Sequence, residues 1–166
     1  MKRTISLILG ALMLVACSVS YSFSGTSIEP DVNTIEIELF DYKALTVNPS
    51  LRNDLTEAVR NQFRRMTRLE QVEADGDLTL TGTITGYNVS ATAITAQEQA
   101  AQNRLTVAVE IEFTNKMHPE DNVKQSFSQY ADFDATNSLA SVESTLCAEI
   151  IDKLVEEIFN ATVAQW

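Results

Sequence analysis

Leu78-Thr-Leu-Thr-Gly-Thr-Ile-Thr-Gly-Tyr-Asn-Val89 alternates apolar and polar residues with a period of two. Leu78, Leu80 and Ile84 fall on one face and threonines 79, 81, 83 and 85 on the other, the pattern of a half-buried strand. After Gly86 the phase changes, because Tyr87 and Val89 take positions of the polar parity. A glycine at such a change predicts a β-bulge or a bend. A strand with one apolar face needs neighbours in its sheet and a layer to cover it, and both can be sought outward from here.

Downstream, Leu105, Val107, Val109, Ile111 and Phe113 alternate through a second strand. Residues 123–133 read as a third, carried by Phe127, Tyr130 and Phe133, after the polar turn His118-Pro119-Glu120-Asp121-Asn122. Residues 91–103 hold few charges, no proline and no glycine, which suits the projecting end of a long hairpin better than a tight turn. Upstream, Asp75-Gly76 is a turn signal, and residues 34–40 place Ile35, Ile37 and Leu39 opposite Glu36 and Glu38 in a further strand.

The covering layer is legible as two helices. Asn48 can cap the first, and Pro49 suits its first helical position. Leu51, Leu55, Val59, Phe63 and Met66 then form one apolar stripe that ends near Arg68. The second helix is expected from about Ser138 to Val163, with Leu146, Ile150, Ile151, Leu154, Val155 and Ile158 on one broad face. Glu149, Asp152, Lys153 and Glu156 lie opposite, and Cys147 sits on the apolar side as a small buried thiol. The order β-α-β-β-β-α predicts an α+β two-layer sandwich over residues 31–166, a four-stranded sheet with both helices on one side.

The N-terminus carries a different message. Lys2 and Arg3 precede an apolar run from Ile5 to Val15, shorter than the roughly 20 residues a spanning helix needs. It ends in Leu14-Val15-Ala16-Cys17, which resembles the lipobox of a bacterial lipoprotein signal peptide over residues 1–16. The resemblance implies acylation of Cys17, which becomes the first mature residue, with residues 17–30 as a serine-rich tether. Ser18 in place of an aspartate leans toward the outer membrane.

Once Lys2 and Arg3 are removed, 10 basic residues face 23 acidic ones, a net charge of about −13. Such a body argues against nucleic-acid binding and against lying flat on an anionic membrane. Cys147 has no intramolecular disulfide partner once Cys17 is acylated. His118 is the sole histidine, and nothing positions a nucleophile beside it. No zinc spacing, phosphate-binding glycine loop or dinucleotide fingerprint is present. Glu120-Asp121 and Asp132-x-Asp134 read as solvated turns. The chain is therefore expected to be no enzyme and to need no cofactor or metal.

One charge asymmetry stands out. Arg52, Arg60, Arg64, Arg65 and Arg68 lie on the arc of the first helix opposite its apolar stripe, offset only by Asp54 and Glu57. This arc is a candidate docking surface for phosphate or carboxylate groups, because the planar arginine fork suits both.

Together these pieces resemble the lipopolysaccharide-assembly lipoprotein family, LptE. The lipobox, the Tyr21-Ser-Phe-Ser-Gly-Thr-Ser-Ile28 tether and the element order carry the likeness across the whole chain. Local stretches add to it: Asn48-Pro49-Ser50-Leu51, Gly82-x-Ile84-x-Gly86-Tyr87, Ala100-Ala101-Gln102-Asn103-Arg104-Leu105 and Phe113-Thr114-Asn115. The resemblance implies an outer-membrane lipoprotein that sits as a plug inside the β-barrel translocon LptD, helps that barrel fold and binds lipopolysaccharide without covalent chemistry. The body would face the periplasm or lie within the barrel lumen. A tethered periplasmic regulator of a cell-wall synthase is the competing reading, and the short tether counts against it.

Overall fold

The computed structural model describes residues 28–92 and 101–164. The signal segment, Cys17, the tether up to residue 27 and residues 93–100 of the expected hairpin end lie outside the described residues. The elements run β1 (Thr34–Ile37), β2 (Asp41–Tyr42), α1 (Leu51–Met66), β3 (Glu70–Val72), β4 (Leu78–Ala91), β5 (Gln102–Asn115), a 3₁₀ turn (Pro119–Asp121), β6 (Val123–Asp134) and α2 (Leu139–Thr162). The strands form one mixed sheet in the order β3-β1-β4-β5-β6, with β2 also paired to β4. β1 is parallel to both β3 and β4, and β4, β5 and β6 form an antiparallel meander. The architecture is the expected α+β two-layer one, but the sheet has six strands rather than four.

The added strands have separate causes. The expected strand over 34–40 is split, because Phe40 is fully buried while Leu39 stands 43% exposed, the reverse of simple alternation. The Phe40 ring fills the space beside Gly82, where a Cβ would meet ring carbons at 2.5 Å. The Phe40 N–H donates to Thr56 Oγ1 on α1 at 3.1 Å instead of joining the ladder. Pairing resumes at β2, where Asp41 and Tyr42 lie opposite Thr83 and Ile84. β3 is a three-residue edge strand whose only apolar side chain is Val72, too little to show as a periodic pattern.

The bulge falls where Gly86 predicts it. The β4–β5 register shifts between Ile84 and Gly86, so Ile84 and Tyr87 both turn into the core and Thr85 is left exposed. Val89, of the same parity as Tyr87, remains 46% exposed near the end of the hairpin.

The helices cover one face of the sheet. α1 begins at Leu51, two positions later than the Asn48-Pro49 signal. Asn48 still caps the entry: its Oδ1 accepts from the backbone N–H groups of Ser50 and Leu51 at 3.0 and 3.1 Å. Leu51, Leu55, Val59 and Phe63 are buried, but Met66 is half exposed, and Thr56 takes an inward place. α2 buries all six residues of its expected face together with Cys147 and Phe159. The two helices meet through Phe63 and Phe159, whose ring centroids lie 5.3 Å apart edge to face. No helix among the described residues is long and apolar enough to cross a membrane.

The close fit of Phe40 over Gly82 yields a stability test. Gly82→Ala forces the ring out of a filled core site and should cost about 1–3 kcal/mol. Thermal unfolding should show a melting point several degrees below that of the unaltered chain; an equal or higher one would remove this contact from the account of the fold.

Candidate functional site

Four of the five arginines lie on α1, which ends at Met66, whereas Arg68 follows it in the link to β3. They are presented in different ways, because the helix lies between the sheet edge on one side and α2 on the other. Arg60 reaches the end of β1. Its Nε and Nη2 donate to the Ile37 carbonyl at 3.2 and 2.7 Å, and its Nη1 donates to Glu57 at 2.7 Å. The carbonyl needs a donor there because β1 stops at Ile37 and β3 pairs only as far as Glu36. Arg60 is thus spent on finishing the strand.

Arg64 donates to Asn61 Oδ1 at 2.8 Å and to Gln71 Oε1 at 3.2 Å. Gln71, on β3, donates its amide to the Arg60 carbonyl at 2.6 Å, so edge strand and helix are stitched together. Arg65 donates to Gln62 at 2.8 Å, and Arg68 to the Glu29 carbonyl at 2.6 Å. Arg52 is half-buried, and its Nε has no hydrogen-bond partner among the described residues.

The five arginines therefore do not form one patch. Arg60 and Arg64 line a hollow of about 710 Å³ that also contains Glu38, Glu57 and Glu73. Arg65 lines a second hollow of about 730 Å³ between the helices, with Asp152 and Glu156 on its rim and Val155 and Phe159 in its floor. Arg68 is tied to the incoming chain. Arg64 and Arg65 differ from Arg60 in having only neutral amides as hydrogen-bond partners, which leaves their charge available to an anion.

Sequence reasoning did not foresee three polar junctions. At the start of the helices, Tyr87 donates its hydroxyl to Glu143, and Asn48 donates to the same carboxylate at 3.1 Å. Burial and the Glu143 hydrogen bond push the Tyr87 phenol well above its ordinary range, so it stays protonated and donating. Asn48 also donates to Cys147 Sγ at 3.7 Å; the thiol is buried, as expected, and burial raises its pKa.

On the bare face of the sheet, Arg104 forks onto Asp132 at 2.7 and 2.8 Å, with its guanidinium 3.5 Å over the Tyr130 ring. These residues are cross-strand neighbours, visible only once the β5–β6 register is known. At the foot of the molecule, His118 Nε2 lies 3.1 Å from both carboxylate oxygens of Asp31. That bond raises the His118 pKa above its ordinary value and lowers that of Asp31. The histidine thus ties the incoming chain to the 3₁₀ turn rather than facing a nucleophile. Among the described residues no three His, Cys, Asp or Glu side chains are placed to hold a metal ion.

A family model described as lipopolysaccharide-assembly, LptE, matches residues 32–162. The chain belongs to the LptE family. It therefore takes part in lipopolysaccharide assembly, a non-enzymatic role, as a member of a lipoprotein family. No curated protein sequence matches it. Among solved structures, a hypothetical protein from Chlamydia trachomatis aligns with a TM-score of 0.52 at 6% identity, over 79% of this chain and 98% of that one. A minor lipoprotein from Acinetobacter baumannii aligns at 0.49 and 12% identity, over 76% and 89%. At such identities the first likeness speaks for the fold alone.

The contrast among the arginines of this LptE-family chain can be measured. Arg60→Gln should destabilise the fold by about 1–2 kcal/mol, because it leaves the Ile37 carbonyl poorly satisfied. Arg64→Gln and Arg65→Gln should each stay within about 0.5 kcal/mol of the unaltered chain in urea unfolding. Equal losses at all three positions would contradict this division of roles.

Proposed function

We propose that the chain is a lipid-anchored outer-membrane protein, held through Cys17, that serves as plug and folding partner of an LptD-like β-barrel translocon for lipopolysaccharide. The observation that carries this reading is the bare face of the sheet. Threonines 79, 81 and 83, serines 126 and 128, and Glu112 with Lys124 leave it largely polar, with Tyr130 beneath Arg104 and the small Ala108 as the apolar exceptions. The lumen of an outer-membrane barrel is polar as well, so such a face can lie against it without stranding apolar surface in water.

The shape agrees with the reading. β4 and β5 have 14 residues each, about 46 Å at the usual rise per residue. That exceeds the roughly 30 Å hydrocarbon core of a bilayer. The chain enters at Ile28, beside Leu78 and Phe113 at one end of this hairpin, while Ala91 and Asn103 stand at the other. An anchor at the inner leaflet would then direct the hairpin end outward along the barrel. Arg64 and Arg65 are the candidate contacts for lipopolysaccharide phosphates or for acidic barrel residues.

The test is purification of the tagged, lipidated chain from detergent-solubilised outer membranes. A large β-barrel protein in near-equimolar amount supports the plug reading. Recovery of the chain alone, or with cell-wall synthases, overturns it. In the same preparation, Arg64→Gln with Arg65→Gln should weaken binding to purified lipopolysaccharide several-fold, and more so at low salt than at high. Unchanged binding would remove the arginines from the ligand site.

A further inference from the structure

The sheet has two long edges, and the chain treats them differently. Among the described residues β6 pairs with β5 alone, so its outer edge is open along its length. That edge is blunted by charge: Lys124 lies on it, and Lys153 of α2 donates to the outward Tyr130 carbonyl at 3.1 Å. Lysines on an edge strand are a common protection against unwanted strand pairing.

The other edge is the upper part of β4. β1 and β2 cover β4 only as far as Ile84, whose carbonyl accepts from the N–H groups of Lys43 and Ala44. Residues 86–91 pair with β5 alone. Thr92 donates its N–H to the Gln102 carbonyl, which sets the alternation. Tyr87, Val89 and Ala91 must turn their backbone N–H and C=O groups away from β5, and no partner for them exists among the described residues. Residues 86–92 include no charged side chain.

Beside this edge stands the β2–α1 connection. Leu45 is 101% exposed and Val47 68%. The connection is braced rather than loose: Tyr42 donates its hydroxyl to the Thr46 carbonyl at 2.8 Å and accepts the Asn48 N–H at 3.1 Å. An uncharged open edge carrying the exposed Val89, and two exposed apolar side chains on a connection whose backbone is braced, offer both the main-chain groups and the side-chain contacts that strand addition uses.

We propose that residues 86–91 of β4, with Leu45 and Val47, form a docking edge that receives an extended, apolar-rich segment of the barrel partner as an additional strand. The inference rests on the plug reading above. Charge selects this occupant over a second copy, because two bodies of about −13 repel one another and the uncharged edge supplies no opposing pair to hold them. The wall strands of a closed barrel are already paired on both sides, so the segment that can add to this edge is an extended loop or terminus of the barrel chain, whose backbone groups are unpaired.

The experiment is hydrogen–deuterium exchange on the full lipidated chain, alone and co-purified with the barrel, together with the Val89→Pro variant. Proline removes the outward N–H of Val89 but leaves the β4–β5 bonds in place, since the 89 position does not donate to β5. Fast exchange at 87, 89 and 91 in the free chain, slowed in the complex, supports the docking edge. Val89→Pro should then keep a melting point near that of the unaltered chain and lower barrel recovery by about fivefold or more, the worth of one main-chain hydrogen bond or more. Unslowed exchange at these amides in an intact complex overturns the docking edge and leaves the plug reading standing. So does undiminished recovery with Val89→Pro. Failure to recover a barrel with the unaltered chain overturns both. Protection already present in the free chain identifies another occupant: a second copy if light scattering gives a dimer, the chain's own residues 18–27 if it gives a monomer.

Discussion

The contact on which the fold turns is that between the Phe40 ring and the bare backbone of Gly82. It draws the chain inward between β1 and β2 and breaks an otherwise continuous strand. The break frees two backbone groups, and α1 answers both: Thr56 accepts from the Phe40 N–H, and Arg60 donates to the Ile37 carbonyl. Helix and sheet edge are thereby locked at one place by a filled cavity and two polar bonds. Freed backbone groups that are half-buried must find partners, so the position of α1 follows from the break rather than from the helix's own stripe. Asn48 then sets where the helix begins, and its amide reaches Glu143 on α2, which also receives Tyr87 from β4. Three elements meet at that carboxylate.

Much of this was legible in the sequence. Period-two alternation located β4, β5 and β6, apolar stripes located both helices, and Gly86 located the bulge, because in each case burial of one face imposes a repeat on the residue types. What escaped the reading was of a different kind. Phe40 breaks the alternation for the sake of a hole left by a glycine about forty positions further on. β3 is too short to display a period and is held by parallel pairing and by the Gln71 side chain. Met66 belongs to the stripe by spacing, yet the helix has passed the edge of the core by then. Contacts between residues far apart in the chain leave no local mark.

The arginine arc shows the same limit at the candidate site. Helical spacing put all five side chains opposite the apolar stripe, but α1 ends at Met66, so Arg68 lies beyond it, and Arg52 is half-buried. Spacing was silent on what each finds when it gets there. Arg60 meets a strand end, Arg68 a carbonyl of the incoming chain, Arg64 and Arg65 only amides. A guanidinium already serving a backbone carbonyl is a structural group first, whatever its charge. Arg64 and Arg65 serve no backbone carbonyl, so theirs are the losses the fold is expected to tolerate.

Those two do not act in an empty field. Arg64 shares its hollow with Glu38, Glu57 and Glu73, and Arg65 faces Asp152 and Glu156. At physiological salt, charge reaches about 8 Å before it is screened, so the carboxylates of each hollow are felt there while most of the chain's other acids are not. The local balance is therefore mixed, neither the about −13 of the whole body nor a clean basic patch. A mixed site holds a free anion weakly. It suits a ligand or surface that brings charges of both signs, such as phosphates bridged by divalent cations or a barrel wall of alternating acids and bases. Recognition at this helix, as proposed, would then depend on matching a pattern of charge more than on attraction to a single ion.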